Sequence, residues 1–321
     1  MRCEVRVPAS SANLGPGFDV LALALGWHLT ARYQSDGSLG PLRVAAAPDL
    51  YGGPNLVLEA MRALAREVGA ELPGGELVVE SEIPVARGLG SSAAAVVAGL
   101  VLANQVLGEP LDEGQLFRLG CALEGHGDNV GAAMFGGLVL AVEGTGGPVP
   151  VRVPVACPLA AVLLVPESLG YTSDARAVLP RRIRRVTAVR TAARTALLVL
   201  ALSSGRPDFL ATAMQDELHQ PYRAVLYPHL DEAIATARAA GAYGAALSGA
   251  GPSVIALVDP ERADAVRQAF DDLVARRGLA ARAVVLPIDR HGARVSSDPL
   301  TTGYPGIVSL ETGGELRGSA P

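Results

Sequence analysis

The stretch IPVARGLGSSAAAVVAGLVLANQVL, residues 83–107, joins an apolar strand end to a long apolar helix through a glycine-rich turn. Glycine lets the backbone approach an anion closely, and the first turn of a helix offers N–H groups with about half a positive charge. Ser91 and Ser92 add two hydroxyls at the same place. The stretch predicts a phosphate cradle, although an ordinary strand-to-helix turn has the same composition.

The basic residues limit how this chain can handle phosphate, because all 27 of them are arginines and none is a lysine. A Walker A loop, a protein kinase and a Schiff-base enzyme each need a lysine at a fixed place. These three mechanisms are therefore excluded. Phosphate must be met here by backbone N–H groups, arginines and a metal ion.

The overall composition predicts a cytoplasmic protein with room for two domains. Half of the 321 residues are hydrophobic, which is enough for a large core. The three cysteines form no CxxC pair, and the longest apolar run, Ala93 to Ala103, is far below the roughly 18 residues that span a bilayer. The net charge of −5 argues against nucleic-acid binding. One basic run, residues 181–185, fits either a solvated helix start or a phosphate or nucleic-acid patch.

Strands and helices are interleaved along the chain in a way that predicts an α+β fold with two domains. The glycine- and proline-rich segment EGTGGPVP is the clearest break in composition, so we place the domains at 1–150 and 151–295. Residues 296–321 are rich in Gly, Pro, Ser and Thr, which predicts a loosely ordered tail.

Three local predictions bear on the position of the functional residues. The polar segment PASSANLGPGFD, residues 8–19, is predicted as a loop between two strands. A glycine-rich turn is expected after a helix that runs from Asp112 to about Leu123. In the second half, one helical region is expected from Ser173 to Leu202, and Asp259 should be the N-cap of a later helix.

Three Gly/Ser-rich loops occur in a fixed order between apolar elements: PASSANLGPGFD at 8–19, IPVARGLGSSAAA at 83–95 and LSGAGPS at 247–253. Their order and spacing resemble the GHMP small-molecule kinases over residues 5–287. Within that superfamily, these loops and LEGHGDNVGAAMFGG at 123–137 are most similar to the branch that phosphorylates homoserine. The resemblance implies an N-terminal domain like that of certain ribosomal proteins, a ferredoxin-like C-terminal domain and an active site between them.

The resemblance also implies ATP and Mg²⁺ as cofactors. The positions that match nucleotide-binding residues of the family are Asn55, Pro84, Arg87, Gly88, Leu89, Gly90, Ser91, Ser92, Gly249 and Gly251. Glu124 and Ser92 match its magnesium ligands, in agreement with the preference of Mg²⁺ for hard oxygen ligands. Asn55 suits equally well the N-cap of the first long helix.

The positions that match acceptor-binding residues of the family are Asn13, Asp19, Asn129, Thr172, Arg176 and Arg223. Homoserine carries a carboxylate, an ammonium and a reactive hydroxyl, so its pocket needs arginine for the first and Asp or Asn for the other two. Arginine can hold a carboxylate with two parallel bonds, and Thr172 and Arg176 share one helical face if a helix begins at Thr172. Asp19 is the expected partner of the ammonium.

The catalytic candidates are Asn129, Asp128 and Arg223. Phosphoryl transfer depends mainly on alignment and charge neutralisation, so a strong general base is not required. We expect Asn129 to orient the acceptor hydroxyl and Asp128 to support it, with Asp128 as general base the alternative. His126 is expected to be structural.

The leading hypothesis is ATP-dependent phosphorylation of L-homoserine to O-phospho-L-homoserine, a step of threonine biosynthesis. A second hypothesis keeps the fold and changes the acceptor to mevalonate, shikimate or a sugar. A third is a ligand-binding relative without catalysis, which the retained Glu124, Ser92 and phosphate loop disfavour. The expected partners are homoserine and ATP, with no nucleic acid and no membrane, and the resemblance also admits a homodimer.

Overall fold

Two sheets and the helices packed against them organise the part of the chain that this computed structural model describes, residues 2–38, 41–46, 54–297 and 300–303. The first sheet has eight strands and the second has four. Residues 304–321, which make up most of the predicted tail, lie outside the described residues.

The first sheet is built around two long antiparallel strands, β1 (Arg2–Asn13) and β2 (Gly17–Ser35), which pair from Arg2 opposite Gln34 to Asn13 opposite Gly17 with two irregularities. The other strands are β3 (Leu42–Ala46), β4 (Gly75–Ser81), β5 (Leu138–Gly144), β6 (Gly147–Val153), β11 (Arg294–Ser297) and β12 (Leu300–Gly303). The order is β12-β11-β1-β2-β4-β3, with β5 paired to β2 and β6 to β5. Only the β3–β4 pair among these is parallel.

The predicted loop at residues 8–19 is wrong for most of its length. Residues 8–13 belong to β1 and residues 17–19 to β2, which leaves a turn of residues 14–16. Ser, Asn and Pro favour turns locally, but the two strands pair with each other and this tertiary context overrides the local preference. Asn13 and Asp19 keep a turn-like backbone, with φ angles of 71° and 60°.

In the described part of the first domain there are four helices: α1 (Leu56–Glu67), α2 (Ser91–Val106), α3 (Glu113–Glu124) and α4 (Asp128–Phe135). The helix α2 is buried between α1 and the sheet, as expected for a helix that is apolar nearly all round. At Gly99 the two helices are so close that a Cβ atom would lie 2.2 Å from the carbonyl oxygen of Val57. A glycine-rich turn at residues 125–127 follows α3, but the helix α4 that comes next was not predicted, and its apolar residues pack in the core.

The second sheet contains β7 (Ala160–Pro166), β8 (Gly244–Leu247), β9 (Val254–Val258) and β10 (Ala281–Pro287) in the antiparallel order β10-β7-β9-β8. The helices α9 (Leu230–Ala239) and α10 (Ala263–Arg277) pack against it. The strand order, with the last strand beside the first, is ferredoxin-like. The predicted two-domain α+β fold is thus confirmed. Asp259 accepts the N–H of Glu261, as expected of an N-cap, although a short 3₁₀ turn precedes α10.

The segment between β7 and α9 contains α5 (Thr172–Ala177), α6 (Arg185–Ser203), α7 (Leu210–Ala213) and α8 (Gln220–Arg223). The single helical region predicted from Ser173 to Leu202 is therefore wrong, since residues 178–184 are not helical. Pro180 interrupts the helix because it has no N–H to donate and restricts the residue before it.

The first sheet reaches beyond the segment at which we divided the domains. Strand β6 runs through residue 150 to Val153, and β11 pairs with β1, with Glu4 opposite Ser296. Residues 296 and 297 and residues 300–303 are strands because antiparallel pairing supplies their hydrogen bonds. This corrects the start of the predicted loose tail, while the division of the domains at residue 150 stays a prediction.

Candidate active site

Hydrogen bonds join the three glycine-rich loops, which are far apart in the sequence. The N–H of Ser10 donates to the carbonyl of Leu89 at 3.1 Å and connects the first loop to the second. The hydroxyl of Ser248 donates to the carbonyl of Gly88 at 2.7 Å and connects the third loop to the second. The same hydroxyl lies 2.8 Å from that of Ser11 in the first loop. The three motifs therefore form one local structure.

A cavity of about 410 Å³ opens where these loops meet. Ten predicted site residues line it: Gly88, Leu89, Gly90, Ser91, Ser92, Glu124, Asn129, Thr172, Arg176 and Gly249. Both domains contribute, so the cavity lies between them. Thr172 and Arg176 share this wall because α5 begins at Thr172 and places the two side chains about one turn apart.

The start of α2 has the properties of an anion site. Its N-cap, Gly90, has a φ angle of 69°, and no side chain caps the helix. A Cβ atom at Gly90 would lie 2.1 Å from the Ser10 hydroxyl oxygen, and one at Gly88 would lie 2.1 Å from the Ser248 carbonyl oxygen. Only glycine fits both positions, so the backbone itself is the surface that an anion would meet there.

The two predicted magnesium ligands are in contact. The Ser92 hydroxyl donates to Glu124 Oε2 at 2.7 Å. Burial raises the pKa of Glu124, and the Ser92 hydrogen bond opposes that rise. Among the residues with described positions, no group of three or more His, Cys, Asp or Glu side chains could hold a metal. A divalent ion at Glu124 and Ser92 would therefore complete its ligands with phosphate oxygens and water.

Asp128, Asn129 and His126 are connected at the start of α4. His126 Nδ1 and Asp128 Oδ1 are 2.6 Å apart, and the same oxygen accepts the Asn129 N–H at 2.7 Å. Burial would lower the pKa of His126, but the hydrogen bond and charge of Asp128 outweigh it and raise that pKa. The Ser10 hydroxyl donates to Asn129 Oδ1 at 2.8 Å, which leaves Nδ2 as the group available to a ligand. Because an amide cannot take up a proton, Asn129 can orient a hydroxyl without being its base.

Asp19 and Arg176, predicted to bind opposite charges of the acceptor, bind each other. Arg176 donates to Asp19 through two bonds of 2.8 and 2.9 Å. The Asp19 hydrogen bonds raise the pKa of Arg176. The side chains are 36% and 39% exposed, so the pair is partly solvated and contributes little to stability. A ligand that offers both charges could replace this pair without leaving either residue unpaired.

Arg223 is 2% exposed and is not among the residues that line the cavity. Its guanidinium donates to the carbonyls of Ala175 in α5 and Gly249 in the third loop, at 3.1 and 3.0 Å. Burial lowers its pKa to about 10, which still leaves the group charged near neutrality. Arg223 therefore fixes two walls of the cavity to each other.

Eight predicted site residues do not line the cavity: Asn13, Asp19, Asn55, Pro84, Arg87, Asp128, Arg223 and Gly251. Asn13 contacts the cavity wall, because its side-chain amide donates to the carbonyl of the lining residue Gly249 at 2.9 Å. The guanidinium of Arg87 donates to the carbonyls of Val85, Pro166 and Glu167, so it fastens the glycine-rich loop before α2 to the end of β7. Asn55 caps α1 by accepting the Leu58 N–H.

The sequence patterns did not point to Ser10 or Phe18, and they predicted His126 only as a structural histidine. Ser10 orients Asn129, and His126 links Asp128 to the cavity wall. The ring of Phe18 lies 5.8 and 5.2 Å from the guanidinium carbons of Arg176 and Arg223, within the range of cation–π contacts. The position of His126 between two acidic residues could have pointed to its role, whereas Ser10 and Phe18 carry no signal beyond lying in the first motif.

The family models match both halves of the chain. Residues 55–137 match the model described as GHMP kinases N terminal domain, and residues 199–275 match GHMP kinases C terminal. The homoserine kinase of Deinococcus radiodurans is 43% identical over 294 residues, which cover 91% of this chain and 96% of that protein.

Solved structures show the same arrangement. The crystal structure of homoserine kinase from Cytophaga hutchinsonii aligns with a TM-score of 0.82 and 31% identity, covering 92% of this chain and 97% of that one. The L. major mevalonate kinase in complex with R-mevalonate aligns with a TM-score of 0.68 and 17% identity, covering 88% of this chain and 95% of that one. At that identity the second likeness shows the fold alone.

Proposed function

The chain belongs to the homoserine kinase family of GHMP kinases, and from this we propose that it transfers the γ-phosphoryl group of ATP to the hydroxyl of L-homoserine. The products are O-phospho-L-homoserine, an intermediate of threonine biosynthesis, and ADP. The observation that carries the proposal is a cavity with a lysine-free anion cradle at the start of α2 and with Arg176 of α5 in its lining, where Arg176 pairs with Asp19 of β2. We place the reaction in the cytoplasm, where the free thiols of Cys3, Cys121 and Cys157 stay reduced.

The Asp19–Arg176 pair favours a zwitterionic acceptor. The carboxylate of homoserine can take the place of Asp19 on Arg176, while its ammonium takes the place of Arg176 on Asp19. Both protein charges then keep a partner. Mevalonate has a carboxylate but no ammonium, so its binding to Arg176 would leave Asp19 unpaired, at a cost in affinity.

In the proposed reaction the hydroxyl oxygen of homoserine forms a bond to the γ-phosphorus, and the bond from that phosphorus to the β–γ bridging oxygen breaks. The hydroxyl proton passes to an oxygen of the transferred phosphoryl group. Asn129 Nδ2 holds the hydroxyl in line, and Ser10 fixes the orientation of that amide. The N–H groups at the start of α2 stabilise charge on the phosphates.

Glu124 and Ser92 are the residues that would hold Mg²⁺, since both offer hard oxygens and lie in contact on the cavity wall. A bound Mg²⁺ would neutralise charge on the phosphate oxygens. Glu124 itself must be ionised for this role, and its raised pKa means that it becomes protonated at a higher pH than an exposed glutamate.

The proposal is tested by an assay that couples ADP release to a colour change, with homoserine, mevalonate, shikimate or galactose as acceptor. We expect turnover with homoserine alone, and only when Mg²⁺ is present. Turnover of another acceptor in preference to homoserine would contradict the proposed substrate. ATP binding without turnover of any of the four would instead favour a ligand-binding relative.

The acceptor site is tested by Arg176→Gln and Asp19→Asn in the same assay. Each change removes one charge of the pair, and we expect the KM for homoserine to rise about 10²-fold, as for loss of a charged hydrogen bond of about 3 kcal/mol. The KM for ATP should stay within about twofold, because neither residue lies at the start of α2. Equal rises in the KM for homoserine and the KM for ATP would show that the pair does not belong to the acceptor pocket.

A further inference from the structure

His219 is a completely buried histidine close to the predicted acceptor site. It directly precedes α8 and is 0% exposed. Its ring lies between the turn that joins β1 to β2 and the guanidinium of Arg223. A buried imidazole needs a hydrogen-bond partner at each ring nitrogen, so the two partners of His219 show what the ring does.

The partners of the ring fix its protonation state. Nε2 lies 2.8 Å from the carbonyl oxygen of Gly15, which can only accept, so Nε2 carries the proton and donates. Nδ1 lies 3.2 Å from Nη1 of Arg223, which can only donate, so Nδ1 is unprotonated and accepts. The neutral Nε2–H tautomer is therefore the form of the ring that satisfies both contacts.

The charged groups around the ring agree with a neutral imidazole. Asp216 Oδ2 is 3.5 Å from Nε2, but this carboxylate already accepts the backbone N–H groups of residues 218–220. Burial lowers the pKa of His219; the charge of Asp216 opposes this effect, and the charge of Arg223 adds to it. The ring is therefore neutral near neutral pH, as its two hydrogen bonds require.

On the side of Asp19, His219 holds the turn between β1 and β2. The ring donates to the Gly15 carbonyl and packs against the ring of Phe18, with 5.1 Å between the ring centroids. The turn is tightly packed, because a Cβ atom at Gly15 would lie 2.3 Å from the carbonyl oxygen of Met214. Asp19 directly follows Phe18, so His219 fixes the backbone that carries the Asp19 carboxylate.

On the side of Arg176, His219 acts through Arg223. While Nη1 of Arg223 donates to the ring, Nε donates to the carbonyl of Ala175 at 3.1 Å and Nη1 also donates to that of Gly249 at 3.0 Å. Three bonds fix the orientation of a guanidinium because the group is planar. Ala175 directly precedes Arg176 in α5, so the same chain of contacts fixes the backbone that carries Arg176.

We propose that His219 is a positioning residue of the acceptor site: its neutral ring joins the β1–β2 turn to Arg223 and thereby sets the separation of Asp19 and Arg176. The inference rests on the proposed function, because that separation matters for an acceptor that carries both charges. His219 does not line the cavity and so acts through its neighbours. Its effect should therefore appear in acceptor binding and not in ATP binding.

Three substitutions of His219 separate its two contacts. In His219→Asn the amide oxygen can take the place of Nδ1 and accept from Arg223, but the side chain is too short to reach Gly15. In His219→Gln the amide nitrogen can take the place of Nε2 and donate to Gly15, but nothing accepts from Arg223. His219→Leu fills the site with an apolar side chain and removes both contacts.

The coupled assay measures the effect on acceptor binding. We expect His219→Leu to raise the KM for homoserine about 10²-fold and the KM for ATP by no more than about twofold. His219→Asn and His219→Gln should each raise the KM for homoserine only about 10-fold, since each keeps one contact. These two variants decide the test alone if His219→Leu does not fold. Equal rises in both KM values overturn the proposal.

The matched control is His229→Leu, which removes another ring that bonds to a backbone carbonyl, that of Pro252. We expect the KM for homoserine to stay within about twofold in this variant, because His229 contacts neither the β1–β2 turn nor Arg223. A rise in His229→Leu as large as that in His219→Leu would show a general loss of packing and overturn the proposal.

Selectivity provides a second kinetic test. γ-Hydroxybutyrate is homoserine without its ammonium group, so it offers nothing to Asp19. We expect the unchanged enzyme to prefer homoserine, and His219→Leu to lower the ratio of the two kcat/KM values about 10-fold. A ratio that this substitution leaves unchanged would show that His219 does not set the separation of the two charges.

NMR spectra test the positioning without turnover. In the unchanged chain near neutral pH we expect a protonated Nε2 and an unprotonated Nδ1 for His219, with both signals absent from His219→Gln. The Nε–H of Arg223, assigned through Arg223→Lys, should exchange with water at least about 10-fold faster in His219→Gln than in His219→Asn. A charged ring, the other tautomer or equal exchange overturns the proposal. The expected spectra without turnover of homoserine would support the positioning of Arg223 and contradict the proposed function.

Discussion

Two apolar helices of similar length, α2 and α6, have opposite surroundings. In α2, 13 of 16 residues are buried, while α6 leaves most of its apolar residues exposed. Neither helix has a capping side chain, but they begin differently, because α2 opens at Gly90 and α6 opens in a run of arginines. Apolar composition therefore shows only that other residues must pack against a helix. The topology of the chain determines whether its own elements do so, and which end of the helix stays accessible to a ligand.

The largest effect expected from this comparison lies at the start of α2. Glu124 accepts a hydrogen bond from Ser92 in the first turn of α2, whereas the first turn of α6 contains no acidic residue. We expect Glu124→Gln to lower kcat by about 10³-fold, because a carboxylate that holds Mg²⁺, the role proposed for Glu124, contributes several kcal/mol to charge stabilisation in phosphoryl transfer. The coupled assay at saturating ATP and homoserine measures this. Glu113→Gln, at the other end of the same helix α3, is the control and should stay within about twofold of the unchanged enzyme.

The pH profile sharpens the same prediction. Burial raises the pKa of Glu124, so this carboxylate takes up a proton at a higher pH than an ordinary glutamate, and kcat/KM should begin to fall there as the pH is lowered. In Glu124→Gln the acid limb should move or disappear. An unchanged acid limb in that variant would show that another group controls it.

A smaller effect is expected when a methyl group is added to the glycines that flank α2, Gly90 and Gly108. Gly90→Ala places a Cβ atom 2.1 Å from the Ser10 hydroxyl, which displaces the residue that orients Asn129. We expect kcat/KM to fall by about 10²-fold, since Asn129 is the group proposed to hold the acceptor hydroxyl and a misplacement of about 1 Å at such a group costs that much. Gly108→Ala, just after α2, also has a positive φ, of 81°, but meets nothing within 4 Å. It should cost about 1–2 kcal/mol of stability and no activity.

The sequence predicted the parts of the fold that depend on a single segment. The apolar helix at α2, the strand β9 and the Asp259 cap were all visible in local patterns. The paired strands at residues 8–19 and the helix α4 were not, because their formation depends on neighbours distant in the sequence. The break at residues 178–184 could have been predicted from Pro180.

Sequence patterns were more informative for one part of the candidate site than for the other. The glycine-rich start of α2 was predictable because it is a local feature, and residues 88–92 line the cavity. Their role as a phosphate cradle stays a prediction. The relation between Asp19 and Arg176 was not, because a pattern shows which charges a site contains and not which of them pair. In the same way the sequence could not show that Arg223 and Arg87 use their guanidiniums on backbone carbonyls.

The next prediction compares the effect of close packing, at Gly99 in α2, with that of helix propensity, at Ala192 in α6. Gly99→Ala in α2 improves propensity by about 1 kcal/mol but pushes a Cβ atom to 2.2 Å from the Val57 carbonyl oxygen, so we expect a net loss of about 1–3 kcal/mol. Ala192→Gly in α6 is the reverse change at an exposed position, and propensity alone should cost about 1 kcal/mol. Urea unfolding of dilute protein measures both. A stabilising Gly99→Ala would mean that α1 and α2 separate easily, contrary to the close contact seen here.

The smallest effect concerns the sheet on which α2 packs. Asp289 holds the start of β11 by accepting bonds from His28 Nε2 at 2.9 Å and from the N–H groups of His291 and Gly292 at 2.8 and 2.9 Å. Burial would raise the pKa of Asp289, but these bonds, with the charge of Arg294, lower it to about 2. The corresponding carboxylate near α6, Asp208, is exposed and paired only with Arg206.

Because the pKa of Asp289 is lower in the folded state than the usual 3.8, its ionised form stabilises the fold above about pH 4. That contribution should disappear as the pH falls from about 4 to about 2. We expect Asp289→Asn to lower the free energy of unfolding at neutral pH by about 1–2 kcal/mol and to flatten its dependence on pH in the acid range. Asp208→Asn should change neither, because solvent screens an exposed pair. Urea titrations at several pH values test both variants, and parallel pH curves for Asp289→Asn and the unchanged chain would show that this carboxylate does not hold β11 to the sheet.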